Sequence, residues 1–545
     1  MKTQALVGLG LFHASSVLAA DYIWPSKLDY LEDLLGLIDG YVKEGFADGV
    51  LTCAFGNNQP GRQNAAEWIR TAYHDMSTHD IATGTGGLDA SIMFELDRDE
   101  NVGDAFNNTF GFLSGFHNIR ASAADLIALA AVAATDRCNG PKVAFRAGRI
   151  DATEAGISGV PKPDETIETH TSRFATAGFN TSDMIAMVAC GHTVGGVHND
   201  DFPEITGDTN ASTTHFFEEE TTDSSNLFDN VVVTGYLDGS TENPLAVGSN
   251  DTTNSDKRVF NADGNKTMNA LADPEVFQST CADILGRMID TVPSTVTLSD
   301  PIQPVDVKPY IQKFALNSNG TLDFQGRVRV RTSKDTGRNN DDLEVHLTYA
   351  DRTGANTSTV IATTKLTYKL GTSSGFFGEQ FKWFEFETTL DTAESISKFH
   401  IHLETPSTGA VELFDNGGNG FPIDDSVLFQ GPQSCLVTTS GPDYQGTLTI
   451  SAAVRKDRAT EPLVLDLVHK VPRQGVVIDA LDVRPETFTA AGAEKGAYVL
   501  FNIDVPLEVS SWSTTFDLVL GSGETESRAD FLSTGSLISQ SCTPL

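Results

Sequence analysis

The chain has 545 residues, and 74 Asp and Glu against 37 Lys and Arg give it a formal charge of −37. Nucleic acids and anionic membrane surfaces are bound by clustered Lys and Arg, so this charge argues against both as partners. The hydrophobic content of 39% is ordinary for a globular protein, and the length suggests about two to four domains.

Residues 1–20 have the pattern of a secretory signal peptide. Lys2 precedes an apolar run, and small residues follow up to Ala19 and Ala20, where we expect cleavage. This run is too short to span a bilayer, and no later apolar run is long enough. We therefore predict a secreted, extracellular protein without a membrane anchor.

Two further features agree with secretion. Asn-x-Ser/Thr sites suited to glycosylation occur at Asn107, Asn180, Asn210, Asn250, Asn265, Asn319 and Asn356. The six cysteines are an even number, which allows up to three disulfides in an oxidising compartment. None lies in a CxxC pair, so a zinc or redox motif is a weak interpretation.

We predict a helical domain over residues 21–292, where apolar residues recur at spacings of three and four. The clearest helical patterns cover residues 28–42, 65–74, 123–135 and 182–189. The second places Arg70 and His74 on one helix face, since they lie four residues apart. Such a pair is more often a solvated face than a site, so only further motifs along the chain can give it a functional meaning.

Oxygen ligands of the kind that calcium prefers follow this helix. Gly87, Asp89 and Ser91 supply a carbonyl, a carboxylate and a hydroxyl at alternate positions, and Asp75 adds a second carboxylate. The alternative is a plain Gly-rich turn capped by Asp89.

A further apolar helix leads to His192. A single histidine at such a place is usually a satisfied core residue. Together with the face that carries Arg70 and His74, it suggests two histidines that approach a flat cofactor from opposite sides.

The pattern changes in the second half. Residues 293–309 include four prolines among Ser, Thr and Asp, which predicts a linker. Beyond it, in 310–545, apolar and polar residues alternate over residues 327–331, 343–349, 382–388, 398–403, 447–453, 463–468 and 498–505. This pattern predicts an all-β, sandwich-like region of one large or two small domains.

No motif in residues 310–545 indicates a clear chemistry. His400 and His402 alternate with apolar residues and could face a metal, but an exposed strand face is more common. Residues 415–420 could hold calcium but lack a closing acid, and a turn is the better interpretation. By analogy with other secreted sandwiches, this region would bind wall polysaccharide or another protein.

The motifs of the first half, taken together, resemble the plant, fungal and bacterial haem peroxidase superfamily, specifically its secreted fungal, class II-like members. The resemblance covers residues 22–290 and rests on Arg70-x-x-Tyr73-His74-Asp75, Gly87-x-Asp89-x-Ser91, Asn101-Val102-Gly103, Gly148-Arg149-x-Asp151, Gly191-His192-Thr193, Phe228-Asp229-Asn230 and Ser255-Asp256. A chance match to so many ordered motifs is improbable. Residues 310–545 resemble no family that we can name.

The resemblance implies one haem b per chain and reaction with hydrogen peroxide. His192 would be the proximal ligand of the haem iron, with Asp256 accepting a bond from its other ring nitrogen. His74 would move the proton of the peroxide, held in its basic tautomer by Asn101. Arg70 would stabilise the charge on the departing oxygen.

The resemblance also implies one or two calcium ions. The distal site would be formed by Asp75, Gly87, Asp89 and Ser91. A proximal site would use Thr193 and Asp229, with Ser224 and Leu227 at plausible offsets. Its upstream carboxylate is missing from the expected position, where Thr221 or Thr222 stands and Asp223 is only nearby.

Departures from the family bear on the electron donor. Tyr73 stands where Phe or Trp is usual, and Met187 stands where lignin-type peroxidases carry a surface tryptophan. A manganese site would need three acids, but only Glu67 fits, since Gln63 and His198 occupy the other positions. We therefore expect a small, phenolic donor at the haem edge.

The cysteines give a partial check on this resemblance. Cys53 and Cys138 resemble a fungal peroxidase disulfide. Cys190 would be an inert buried thiol or pair with Cys281, and Cys435 would pair with Cys542.

Sequence reasoning therefore predicts a monomeric, secreted haem peroxidase with an appended β-rich region. The alternative is a secreted, non-catalytic binding or cell-wall protein whose peroxidase-like domain is structural. The presence of Arg70, His74, Asn101, His192 and Asp256 together argues against the alternative, because a scaffold needs none of them.

Overall fold

We describe the protein from a computed structural model, which covers residues 22–57, 61–208, 213–218, 227–438, 446–489, 492–507, 511–538 and 540–543. Within these ranges, none of the helices has the length and apolar character needed to cross a membrane. Helices occupy the first half and antiparallel sheets the second, which confirms the predicted fold class.

The helical domain contains the α-helices of the described chain. These are α1 Asp29–Gly36, α2 Asn64–Met76, α3 Ala105–Leu113, α4 Ala123–Arg137, α5 Ile167–Thr176, α6 Thr181–Gly191, α7 Pro203–Thr206, α8 Val231–Asp238, α9 Pro244–Val247, α10 Ser255–Phe260, α11 Lys266–Leu271 and α12 Pro274–Ile289. Three of the four predicted helices are found close to their predicted limits, as α2, α4 and α6.

The fourth prediction, a helix over residues 28–42, is wrong beyond Gly36. α1 ends there, and Asp39 and Gly40 form a short strand that pairs with Ser374 and Ser373 of the second half. The local apolar spacing is helical, but the backbone hydrogen bonds of this segment go to a distant sheet. Tertiary pairing therefore overrides the local pattern.

A buried core around α2 and α4 fixes the position of the functional helices. α4 begins at Ser122, whose side chain accepts from Asp125 N, and nearly all its residues are buried. α2 packs against α4, and α6 packs against α12. The disulfide Cys53–Cys138 joins the segment before α2 to the end of α4, and Cys190–Cys281 joins α6 to α12.

The strands are β1 Asp39–Gly40, β2 Gly196–His198, β3 Thr214–Phe216, β4 Val307–Leu316, β5 Leu322–Arg331, β6 Glu344–Ala350, β7 Asn356–Lys365, β8 Thr372–Ser374, β9 Gln380–Leu390, β10 Lys398–Thr405, β11 Ala410–Phe414, β12 Phe421–Pro422, β13 Val427–Phe429, β14 Cys435–Thr438, β15 Gly446–Arg455, β16 Leu463–Arg473, β17 Val476–Thr487, β18 Glu494–Lys495, β19 Tyr498–Leu507, β20 Thr515–Leu520 and β21 Ser527–Ser533. Each of the seven predicted alternating stretches lies in one of these strands or overlaps it.

The strands after the helical domain enclose two hydrophobic cores. Strands β4–β12 form the first β-unit, a ten-stranded antiparallel sheet that includes β1 and packs on a core with Phe324, Phe384 and Phe399. Strands β13–β21 form the second β-unit, in which a five-stranded and a four-stranded sheet face each other across Leu448, Leu465 and Phe516. The disulfide Cys435–Cys542 ties β14 to the C-terminal segment, so all three predicted pairs are present.

The first β-unit is joined to α1 by buried charges. Lys308 Nζ lies 2.9 Å from Glu32 Oε2 and 2.9 Å from Asp33 Oδ1, and Arg329 Nη1 lies 3.0 Å from Asp33 Oδ1. Arg329 also donates to Glu32 Oε1. Both cations are almost fully buried, so these ion pairs hold the start of the helical domain on the sheet. The predicted domain limits at 292 and 310 remain predictions.

Candidate active site

His74 lies on α2 as a buried neutral base. Its Nδ1 is 2.8 Å from Asn101 Oδ1, and Asn101 Nδ2 in turn donates to the Glu95 carbonyl at 3.0 Å. With the amide oriented by that second bond, Asn101 Oδ1 can only accept, so Nδ1 carries the proton and Nε2 the free lone pair. Burial and then the Arg70 charge lower the pKa of His74 from 6.5 to about 3. The ring is therefore neutral at ordinary pH.

Arg70 is held beside this base, one turn earlier on α2. Its Nε lies 3.4 Å from His74 Nε2, and its Nη2 donates to the Val102 carbonyl at 3.0 Å. The guanidinium also lies over the Phe106 ring, 4.7 Å from the ring centroid. Burial lowers the pKa of Arg70 to about 10, against the opposing attraction of Asp201. Arg70 thus remains a fixed cation near neutral pH.

His192 caps the C-terminal end of α6. Its Nδ1 donates to Asp256 Oδ2 at 2.8 Å, and the same oxygen accepts from Asn243 Nδ2 at 2.8 Å. Phe217 stacks on the imidazole with a centroid distance of 4.3 Å. Among the described residues, His192 Nε2 has no hydrogen-bond partner, and its side chain is 30% exposed although Asp256 is buried. Because Nδ1 donates its proton to this carboxylate, the other ring nitrogen, Nε2, keeps a free lone pair.

This arrangement fits a haem group. An imidazole that ligates iron needs one unprotonated nitrogen and a carboxylate or carbonyl on the other, which His192 and Asp256 provide. The helices that carry His74 and His192, α2 and α6, also pack against each other. The predicted residues Arg70, His74 and Asn101 thus form one group, and His192 and Asp256 form a second.

Asp75, in the last turn of α2, and Asp89, beyond the helix, are buried carboxylates that repel each other. Asp75 Oδ2 accepts from Ala90 N at 2.7 Å, and its Oδ1 accepts from Ile92 N at 3.0 Å. Burial and then repulsion from Asp89 raise the pKa of Asp75 well above its ordinary value. Such a pair is stabilised when a cation binds between the two groups.

Two other predicted ligands fit this cation site. Ser91 Oγ is buried and has no hydrogen-bond partner among the described residues. Gly87 has φ +107°, and a Cβ there would lie 2.6 Å from the Thr291 carbonyl, so only glycine fits. Within the described ranges, no three His, Cys, Asp or Glu side chains assemble into a metal cluster. A hard cation here would therefore also need hydroxyl and carbonyl ligands, as calcium accepts.

The second predicted cation site contains a carboxylate that sequence reasoning missed. Thr193 Oγ1 donates to the Asp229 carbonyl at 2.6 Å and lies 3.3 Å from Glu218 Oε1. Burial and then repulsion from Asp229 raise the pKa of Glu218 to about 8. Leu227 lies beside Asp229 in the chain, and residues 221–224, where the site was expected to continue, lie outside the described residues.

Other missed residues support His192. Asn243 donates to the same Asp256 oxygen that His192 contacts, and Phe217 stacks on the ring. Glu218 directly follows Phe217, so the signal that could have found both is an aromatic pair followed by an acid, at residues 216–218.

The Gly148-Arg149-x-Asp151 motif is structural. Arg149 is 3% exposed and pairs with Asp125 at 2.9 Å. Asp151 accepts from the first two amides of α4, Ala123 N and Ala124 N, at 2.9 Å each. This motif therefore fixes the start of a core helix.

Gln63, Glu67 and His198, which stand where a manganese site would need three acids, do not form an acidic triad. Glu67 is bound by Arg62 through two hydrogen bonds of 2.8 and 2.6 Å. Gln63 is buried, and His198 contacts Thr214 Oγ1 at 3.1 Å. The one carboxylate of the set is already neutralised by an arginine.

Comparison with known proteins places the chain in a family. The sequence model of the family described as Peroxidase matches residues 49–274. A WSC domain-containing protein from Arthroderma benhamiae is 39% identical over 541 residues, which cover 98% of this chain and 70% of that protein. The chain belongs to the haem peroxidase superfamily.

More distant relatives match about a quarter of the chain. L-ascorbate peroxidase 5, peroxisomal, from Arabidopsis thaliana is 35% identical over 26% of this chain and 50% of its own length. Manganese peroxidase 2 from Phlebia radiata is 34% identical over 23% of this chain and 35% of its own length. The match to these two peroxidases thus spans half of their length or less.

Proposed function

We propose that the protein is a secreted haem peroxidase, which reduces hydrogen peroxide and oxidises small phenolic donors in one-electron steps. The observation that carries this proposal is the contrast between its two histidines. Each has Nδ1 committed to a hydrogen bond, to neutral Asn101 for His74 and to anionic Asp256 for His192. One ring is thereby prepared as a proton acceptor and the other as a metal ligand.

Haem b, when bound, supplies the redox chemistry. His192 Nε2 would hold its iron, and Asp256 would make the imidazole more electron-donating. Neutral His74 would accept a proton from one oxygen of hydrogen peroxide at Nε2 and return it to the departing oxygen, which would leave as water. The fixed charge of Arg70 stabilises the negative charge that develops on that oxygen.

Calcium would complete the structure around these residues. The distal ion would be held by Asp75, Gly87, Asp89 and Ser91, and it would brace the end of α2 next to His74. A second ion would be held by Thr193, Glu218 and Asp229, next to His192. The repulsion within each carboxylate pair supports both assignments.

Secretion and glycosylation belong to the same proposal. Of the acceptor sites, Asn107, Asn180, Asn250, Asn319 and Asn356 are exposed, Asn265 is half-buried, and Asn210 lies outside the described residues. Three disulfides agree with an oxidising compartment. Mass spectrometry of the secreted protein would test this, with a mature N-terminus near residue 21 and glycosidase-sensitive peptides as the expected result.

Absorption spectroscopy after haem reconstitution tests the central claim. We expect a Soret band in the wild type, an altered and weaker band in His192→Ala, and an unaltered band in His74→Ala. His74→Ala should nevertheless lower peroxide-driven dye oxidation by about 10²–10⁴-fold, since it removes the proton acceptor. His402→Ala, in the first β-unit, is the matched control and should change neither. A wild type without a Soret band would favour the non-catalytic alternative.

A steady-state comparison of donors tests the phenolic assignment. Because Arg62 neutralises Glu67, we expect phenols to be oxidised and manganese(II) to be a poor donor. Faster turnover of manganese(II) than of phenols would contradict the assignment.

A further inference from the structure

The hairpin formed by β16 and β17 of the second β-unit reaches into the helical domain. Ile478, just beyond the turn, is completely buried and belongs to the hydrophobic core of the helical domain, and Val476 packs against the same core. Its neighbour Val477 is 38% exposed. The hairpin thus presents one side of its tip to the helical domain.

Arg473 fixes this tip to a short segment of the helical domain. Its Nη2 donates to the Ile478 carbonyl at 2.8 Å and lies 3.3 Å from the sulfur of Met93. Its guanidinium lies over the Phe94 ring, 5.1 Å from the centroid. Met93 is buried, so the contact is made inside the interface and not on the surface.

Met93 and Phe94 belong to the loop that carries the distal cation ligands. They end a 3-10 helix, Ser91–Phe94, whose first residue is the buried serine without a hydrogen-bond partner. The Ile92 amide within this turn donates to Asp75, the residue next to His74. β17 packs against this 3-10 helix and also against α3, which contributes Phe106 to the surroundings of His74 and Arg70.

We propose that the β16–β17 hairpin is a brace for the distal loop, so that the second β-unit keeps residues 88–95 in the conformation that binds a cation. Ile478 supplies the apolar contact, and Arg473 clamps Met93 and Phe94. Both are positioning residues, which act on the cation through the loop. The claim about cation affinity rests on the proposed function, whereas the claim about loop order does not.

Hydrogen exchange on the full-length protein tests the brace, with Ile478→Ser compared with Val477→Ser on the same strand. We expect amides of residues 88–95 to exchange at least about tenfold faster in Ile478→Ser than in the control, because the loop loses its support. Arg473→Ala is the milder variant, and we expect it to speed exchange in the same segment. Equal exchange of this segment in all three variants would overturn the proposal, as would a uniform increase across the whole helical domain.

Calcium titration by calorimetry on the same variants separates the two proposals. We expect weaker binding by about tenfold in Ile478→Ser, in the range typical of coupling between sites, and unchanged binding in Val477→Ser. A wild type that binds no calcium would refute the proposed cation site and leave the exchange result to decide on the brace. Calcium binding that is equal in Ile478→Ser and the control would refute the coupling.

Discussion

At the scale of single residues, the two histidines differ in the charge of the group that their Nδ1 contacts. An amide oxygen, as at Asn101, fixes the tautomer of His74 without adding a negative charge. A buried carboxylate, as at Asp256, fixes the tautomer of His192 and also increases its electron donation. In the proposed function, this single difference between Asn and Asp separates a proton acceptor from a metal ligand.

Replacing Asp256 by Asn should make the haem iron easier to reduce. The variant keeps the shape of the side chain and removes its charge, so His192 donates less to the iron. We expect a more positive Fe(III)/Fe(II) potential, measured by spectroelectrochemical titration. Asn243→Ala, which removes the hydrogen bond from Asn243 to Asp256 but keeps the charge, should give a smaller shift. An unchanged potential in Asp256→Asn would contradict the role that we give this carboxylate.

Replacing Ser91 by Ala should change stability in opposite directions with and without calcium. In chelator, the variant removes a buried hydroxyl without a partner, so the free energy of unfolding should stay equal or rise by about 1 kcal/mol. In saturating calcium, the variant loses a ligand, so it should be less stable than the wild type. Urea denaturation under both conditions measures this reversal. A loss of stability in chelator would show that the hydroxyl is bonded within the protein.

Residue types and spacing predict the centre of the site but not its supports. Arg70, His74 and His192 stand in short motifs, and their partners Asn101 and Asp256 follow in order. Glu218 and Asn243 escape this reasoning, because they lie outside the motifs in the sequence and only the folded chain brings them near Thr193 and Asp256.

At the scale of elements, α6 is secured at its start by a cap and by an ion pair. At its start, Asn180 Oδ1 accepts from Asp183 N, and Asp183 Oδ2 accepts from Asn180 N, each at 3.0 Å. Asp183 also binds Arg287 of α12 through two hydrogen bonds of 2.6 and 3.0 Å. His192 follows the far end of this helix, so these contacts help to hold His192 in place.

Removing the cap by Asn180→Ala should lower the free energy of unfolding by about 1 kcal/mol, the usual cost of losing such a residue. Thr181→Ala, at the first helical position, keeps both capping bonds and serves as the control. Thermal or urea denaturation measures the difference. Equal midpoints for the two variants would mean that Asp183 and Arg287 hold the helix without the cap.

The spacing of apolar residues predicts which helices and strands are present better than it predicts where they end. The alternating stretches correspond to strands such as β5 and β16, because one face of each is buried. The helical pattern of residues 28–42 could not reveal that Asp39 and Gly40 pair with β8, more than 330 residues away. Local patterns report which face is apolar, and not which distant segment covers it.

At the scale of the whole molecule, buried ion pairs join the helical first half to the β-rich second half. Glu32 is 3% exposed and faces Lys308 and Arg329. Burial alone would raise the pKa of Glu32, but attraction to Arg329 and Lys308 lowers it from 4.5 to about 2. The carboxylate is therefore ionised in the folded protein, where removing it would leave two buried cations short of a partner.

Replacing Glu32 by Gln should cost about 3 kcal/mol of unfolding free energy at pH 7. The unfolded chain takes up a proton near pH 4.5 and the folded protein only near pH 2, so this contribution is full above pH 4.5 and is lost as the pH falls toward 2. Urea midpoints of wild type and variant should therefore converge in acid. Asp48→Asn, which breaks an exposed pair with Lys43, should have little effect. A difference in urea midpoint between wild type and variant that stays constant from pH 7 to pH 2 would contradict this account.

The contact between Glu32 and the second half of the chain sets an order of events during synthesis. Glu32 accepts a hydrogen bond from Val305 N, 273 residues later in the chain. At about 5 to 20 residues per second, the ribosome takes roughly 14 to 55 s to make that stretch. During that interval Glu32 and Asp33 of α1 have no buried cation to meet, so this helix cannot dock on the sheet. The N-terminal edge of the helical domain is therefore among the first segments to be made and among the last to reach its place.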